Sequence, residues 1–264
     1  MEKALAVESI AMLEKFFSKD FARVYFGPET CERKIPSAAD AKKAMAFCKN
    51  HGVKFSLLAP FCTDSGIARL KKIFPLLSAE DEVIANDFSV LLEAKNCNAS
   101  LIAGRLLNRQ SRDPRIASLK GTVPEEMLEH FSLSQAALPE FRKLLSSFSV
   151  KRFELDNLPQ GIGTSLSGTG FSASLYYPFV FVSATRLCLS ANAGKIAESK
   201  KVGIFPCGKE CSQYSFKLRN QAFPAGLFLS GNALFFENNS LPLEAVLKQK
   251  GIDRIVENRS LIQL

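Results

Sequence analysis

The 264-residue chain contains no tryptophan and only two histidines, His51 and His130. The histidine scarcity excludes a His-rich metal site. It also leaves a Ser-His-Asp hydrolase only two candidate bases. No apolar run approaches the roughly 18 residues a spanning helix needs, so no membrane span is expected. The opening residues lead into an acidic amphipathic pattern and lack the apolar core of an export signal, which points to a soluble cytoplasmic protein. Seven cysteines in such a chain argue against a disulfide framework and toward buried thiols, metal ligands or a nucleophile.

What is present is ordinary globular composition, with 47% hydrophobic and 23% charged residues. The 22 phenylalanines are read as core. The net charge of +8 is unevenly spread. Residues Arg142 to Arg219 hold eleven basic and four acidic side chains. A second basic cluster comprises Arg105, Arg109, Arg112, Arg115 and Lys120 against Asp113. Such charge suits an anionic small molecule, RNA, an acidic protein or the thiolates of a metal centre, and equally a solvated face.

Hydrophobic periodicity gives alternating helices and strands. Residues 3–17 read as an amphipathic helix, and Phe21 to Gly27 as a strand. A helix capped by Ser37 then runs through Lys49. Strands follow at Val53 to Leu58, Val83 to Ala85, Ser100 to Gly104 and Val150 to Leu155, with helices between them. Pro124 to Leu133 reads as a helical turn and a strand. The Gly/Ser/Thr-rich stretch Gly161–Gly170 lacks the lysine and the strand–turn–helix frame of a phosphate loop, and is read as a flexible loop. Beyond it, Ser172–Ser183, Val202–Phe205, Tyr214–Leu218 and Leu227–Phe236 read as β-rich and hairpin-like. A helix over Leu241–Lys250 and a strand over Ile252–Val256 end the chain. Repeated βα units imply an α/β, barrel-like single domain over 1–264, interrupted by a β-rich, cysteine-bearing insertion at about 160–236. The carboxyl ends of its strands carry Cys31, Asn86-Asp87, Arg105, Asn108 and Asp156-Asn157.

The cysteines divide into two groups. Cys48, Cys62 and Cys97 read as small apolar fillers or isolated thiols. Cys207 and Cys211 lie four residues apart in a Gly-containing turn that can aim both sulfurs at one ion. Cys31 and Cys188 could complete a four-thiolate site, which suits either zinc or an iron–sulfur cluster.

Several motifs then resemble one family in order. These are Tyr25-Phe26-Gly27-Pro28-Glu29-Thr30-Cys31 with basic residues after it, Ala85-Asn86-Asp87, and Ile102-Ala103-Gly104 with Leu107-Asn108. Ser183-Ala184-Thr185-Arg186-Leu187-Cys188, the closing Cys207-x3-Cys211, Ser230-Gly231 and Gly251 to Ile255 follow. The set is similar to the UbiV-like branch of the collagenase-like peptidase superfamily (peptidase family U32). That resemblance implies a barrel-like fold and a [4Fe–4S] cluster on Cys31, Cys188, Cys207 and Cys211. It implies a subunit of an oxygen-independent hydroxylation system for a ubiquinone precursor, acting with a UbiU-like partner. Other branches act on RNA bases, so an RNA-binding or RNA-modifying relative is the alternative, as is a zinc-stabilised binding module without catalysis. Arg186 is expected to bind a carboxylate, and Asn86 with Asp87 to orient a substrate or cap a helix. The family's opening strand is missing from this reading, so the barrel is expected to be incomplete or closed by a partner.

Overall fold

In a computed structural model, which describes residues 1–192, 206–221 and 223–261, the amino-terminal segment divides in two. Glu2–Val7 is a strand, β1, and Ile10–Phe16 is a short helix, α1, with the Ser9 side chain accepting from the Met12 amide. The helix expected over 3–17 is therefore corrected. The run Ala4 to Val7 is fully buried, and a short apolar run fits a strand period as well as a helical one. The same finding overturns the missing opening strand.

Seven further parallel strands complete a closed barrel with β1: β2 (Arg23–Phe26), β3 (Lys54–Ala59), β4 (Glu82–Ala85), β5 (Ser100–Ala103), β6 (Arg152–Asp156), β7 (Ser172–Tyr177) and β12 (Ile252–Asn258). β12 pairs in parallel with both β1 and β7, and β1 with β2, so no partner is needed for closure. The chain is thus an α/β barrel. Its helices are α2 (Ala38–His51), α3 (Asp64–Leu70), α4 (Phe88–Ala94), α5 (Glu125–Ser132) and α6 (Pro139–Ser146), then α7 (Leu189–Asn192) in the insertion and α8 (Glu244–Gln249) before β12. Pro124 to Leu133 holds only helix, with no strand. No described helix is long and apolar enough to cross a membrane.

Strand alternation separates two cores. Outward residues such as Leu5, Val24, Leu57, Val83, Leu101 and Leu155 pack with helix residues Leu13, Ala44, Leu70, Leu91 and Leu247. Ala4, Ala6, Tyr25, Leu58, Ile84, Ile102, Tyr176 and Val256 form a separate cluster in the lumen. Below that cluster lies a buried polar net. The Arg254 guanidinium donates to Glu2 at 2.9 Å, to both oxygens of Glu82 at 2.8 and 2.9 Å, and to the Tyr25 hydroxyl at 2.7 Å. Arg23 donates to Glu2 and Ser56, and the Tyr25 hydroxyl donates to Glu154 at 2.9 Å.

The segment 161–170 contains no helix, yet Ile162, Thr164 and Leu166 are buried against the barrel where a helix would otherwise lie. It is a packed connection, which corrects the flexible-loop reading. The stretch read as one β segment over Ser172–Ser183 is two strands. β7 belongs to the barrel, and β8 (Phe179–Ala184) opens an antiparallel sheet of order β8-β11-β10-β9. The other members are β9 (Phe216–Asn220), β10 (Phe223–Ser230) and β11 (Ala233–Glu237). The inserted sheet therefore starts after β7 and not near residue 160. The strand expected at Val202–Phe205 lies outside the described residues.

Candidate thiol-lined site at the barrel mouth

The carboxyl ends of β1 and β2 open into a cavity of about 260 Å³. Loops of the barrel supply Glu8, Cys31, Arg33, Lys34 and Thr63, and the segment after β12 supplies Ser260 and Leu261. The inserted sheet and its connections supply Arg186, Cys188, Cys207, Lys209, Cys211 and Asn232. All four cysteines singled out by the sequence line this one cavity. Cys48, Cys62 and Cys97 do not. Cys48 and Cys62 are buried elsewhere, and burial pushes both thiols up to about 12.

Two buried contacts bring residues so far apart in sequence together. The first is centred on Arg105, which is wholly buried just past the end of β5. Its guanidinium grips Glu29 through two hydrogen bonds of 2.6 Å. It donates to Asp156 at 2.7 Å and to the Phe179 carbonyl at 2.8 Å. Its carbon lies 4.1 Å from the centre of the Tyr176 ring. Arg112 donates to the other Asp156 oxygen at 2.5 Å. Burial pushes the Asp156 carboxyl up, but the two guanidiniums outweigh it and hold the group below its usual range. This ionic cluster ties the loop after β2 to β6 and to the start of the inserted sheet. It also removes Arg105 and Arg112 from the basic cluster read over Arg105, Arg109, Arg112, Arg115 and Lys120, because both are buried against carboxylates.

The second contact joins the cysteine loop to the β10–β11 turn. Asn232 donates to the Thr30 carbonyl at 2.6 Å and the Thr185 carbonyl at 3.1 Å, and accepts from the Thr30 hydroxyl at 3.1 Å. Beside it Gly231 has φ +61°, and a Cβ there would meet the Cys211 sulfur at 3.5 Å. The turn is thus compatible with glycine in the left-handed region and brings its backbone against Cys211.

Backbone amides face the sulfurs. Lys209 N donates to Cys207 Sγ at 3.4 Å and Ala191 N to Cys188 Sγ at 3.5 Å. Burial raises the Cys31 thiol, and the amides of Arg33 and Lys34 with the Lys34 charge partly oppose this. Burial likewise raises Cys211, where Lys34 pulls down while Glu8, Cys188 and Cys31 add to the rise. Lys34 is paired with Glu8. Glu29 is held by Arg105, and Glu32 accepts from Thr63 N at 2.6 Å. Arg186, which is exposed, and Lys209 line the cavity and form no ion pair among the described residues. Among the described residues, no three His, Cys, Asp or Glu side chains stand in an arrangement that could hold a metal ion.

Asn86 and Asp87 do not line the cavity. Asp87 is the N-cap of α4, accepting from Val90 N at 2.8 Å, and also accepts from Cys62 N at 2.6 Å. Asn86 donates to the Ala59 carbonyl and accepts from Leu106 N. A Cβ on Gly104 would fall 2.3 Å from Asn86 Oδ1. The Ala-Asn-Asp and Ala-Gly motifs therefore interlock strand ends, and Asp87 takes the helix-capping role, one of the two expected of this pair. Asn108 is likewise structural, donating to the Glu154 carbonyl and accepting from Ala136 N. Neither histidine lines the cavity, so its thiols face no imidazole base.

Sequence reasoning missed Glu29, Lys34 and Asn232. Glu29 stood inside the motif of Cys31, two residues away. Asn232 gave no signal, because a turn asparagine reads as turn chemistry alone. No protein-family model and no curated protein matches the chain.

Proposed function

We propose that this chain is an iron–sulfur protein of the UbiV-like kind. In this reading Cys31, Cys188, Cys207 and Cys211 hold a [4Fe–4S] cluster at the barrel mouth. The observation that carries it is the convergence of these four cysteines, spread over 180 residues of sequence, on one cavity. The donor set fits: four thiols, backbone amides directed at sulfur, and cations close by to offset thiolate charge. As they stand no three of these sulfurs could hold one metal ion, so loading would have to draw them together across the cavity.

Such a cluster, with one cysteine on each iron, would supply one-electron transfer. The chain's own residues would do the rest. Arg105 and Asn232 hold the Cys31 loop against the inserted sheet. Lys34, fixed by Glu8, places positive charge between Cys31 and Cys211. Arg186 offers a planar fork to a carboxylate at the rim. The protein would serve as a subunit of an oxygen-independent hydroxylation system, with a UbiU-like chain as partner, in the reducing cytoplasm where free thiols persist.

Absorption and electron paramagnetic resonance spectra of anaerobically purified protein test this. A broad absorption near the visible edge and a reduced-state cluster signal, both lost in Cys207→Ala, are expected. A colourless protein that carries zinc at the same cysteines would overturn the cluster in favour of a structural metal site.

A further inference from the structure

We propose that β9, the outer edge of the inserted sheet, is a docking edge for a strand of a different protein in which apolar and acidic residues alternate. β9 pairs with β10 along one side, and no described strand pairs with its other side. An open edge presents unpaired backbone donors and acceptors. Its side chains are unusual for an edge facing only water. Phe216 and Leu218 are 38% and 41% exposed, and Tyr214 just before them is 56% exposed. Phe216 and Leu218 share a face with Leu229 and Leu227 of β10, their register partners. Lys217 and Arg219 alternate with them on the other face. Lys217 leans over the Phe228 ring at 5.2 Å, and neither cation forms an ion pair among the described residues. Cations guard many natural edges against aggregation. That accounts for Lys217 and Arg219 but not for the exposed Phe216 and Leu218 that alternate with them.

The alternation specifies the occupant. A strand added beside β9 sets its own side chains across from these. Apolar residues are favoured opposite Phe216 and Leu218, and carboxylates opposite Lys217 and Arg219. A second copy of β9 fits badly. Antiparallel pairing centred on Leu218 sets Lys217 against Arg219 twice, and a one-residue shift sets each cation beside an exposed apolar side chain. This chain's own apolar–acidic run, Phe153-Glu154-Leu155-Asp156, is buried in the barrel wall and cannot serve. This inference is independent of the thiol site.

Hydrogen exchange read by mass spectrometry on the full chain tests it, with synthetic peptides that alternate valine with glutamate or valine with lysine. The glutamate peptide should slow exchange over 216–220 by roughly tenfold at saturation, and added salt should weaken the effect. In a Lys217→Glu/Arg219→Glu variant with unchanged circular dichroism, the preference should pass to the lysine peptide. No slowing at 216–220, equal slowing by both peptides, or slowing that appears without peptide as the chain is concentrated would overturn the proposal.

Discussion

Thr30 and Asn232, 202 residues apart, exchange hydrogen bonds in both directions across the barrel mouth. Through them the loop that ends in Cys31 is fixed to the turn that touches Cys211. Replacing Asn232 by Ala leaves the Thr30 and Thr185 carbonyls without their shared donor in a buried place. We expect a loss of about 1–3 kcal/mol of stability, read by denaturant unfolding. Alkylation of Cys31 should accelerate, while that of Cys48 should not change beyond the loss in global stability. Unaltered Cys31 reactivity would show that the contact does not position it.

Arg105 is the second anchor. Arg105→Met strands the buried Glu29 without a cation and leaves the buried Asp156 with Arg112 alone. Removing one partner of such a buried cluster costs about 3–5 kcal/mol, measurable as a fall in the unfolding midpoint. Double substitution with Glu29→Gln should recover part of that loss. Equal costs for the single and double variants would separate Glu29 from Arg105 energetically.

How legible the molecule was depended on which forces act locally. The cap at Ser37 and the helix behind it were readable because the Ser37 side chain meets Asp40 three residues on. The strand Glu2–Val7 was not, because only barrel closure on β2 and β12 decides between two periods for a short apolar run. The four cysteines were found from motif order, and their shared cavity agrees with that grouping. The capping role of Asp87 was legible because an Asn-Asp pair precedes the helix directly, whereas the bond from Leu106 N to Asn86 was not, because it joins two strand ends far apart in sequence. Asn232 and Glu29 act through partners far away in sequence, which no local pattern encodes.

The barrel lumen makes stability depend on pH. Burial pushes the Glu154 carboxyl up to about 7, despite Arg254, Arg152 and the Tyr25 hydroxyl, which favour its ionised form. Arg254 and Arg23 are already matched by Glu2 and Glu82, so Glu154 is the surplus carboxyl. The folded state therefore binds its proton more tightly than the unfolded chain does. Stability from this group is complete below about pH 4.3, the unfolded value, and is lost as pH rises through 7. The loss amounts to about 4 kcal/mol. Glu154→Gln should remove this decline in denaturation measurements across pH 5–8. A wild-type curve flat over that window would contradict it.

Gly104 and Asn86 should behave as a coupled pair. Gly104→Ala forces a methyl group against Asn86 Oδ1, with an expected cost of about 1–3 kcal/mol. In an Asn86→Ala background the same change should cost less, though not nothing, because the methyl group still meets the Ala85 carbonyl oxygen at 2.9 Å. Additive costs in a double-mutant cycle would show that the clash is not the cause.

The central claim is that the cysteines gathered at the barrel mouth bind one inorganic cluster. Iron and acid-labile sulfide, measured per chain under strict anaerobiosis, test it most directly. The account predicts about four of each in the wild type and in Cys97→Ala, and a collapse of both in Cys31→Ala and Cys211→Ala variants that remain folded. Iron and sulfide near zero in the folded wild-type protein, or full content in those two variants, would contradict it.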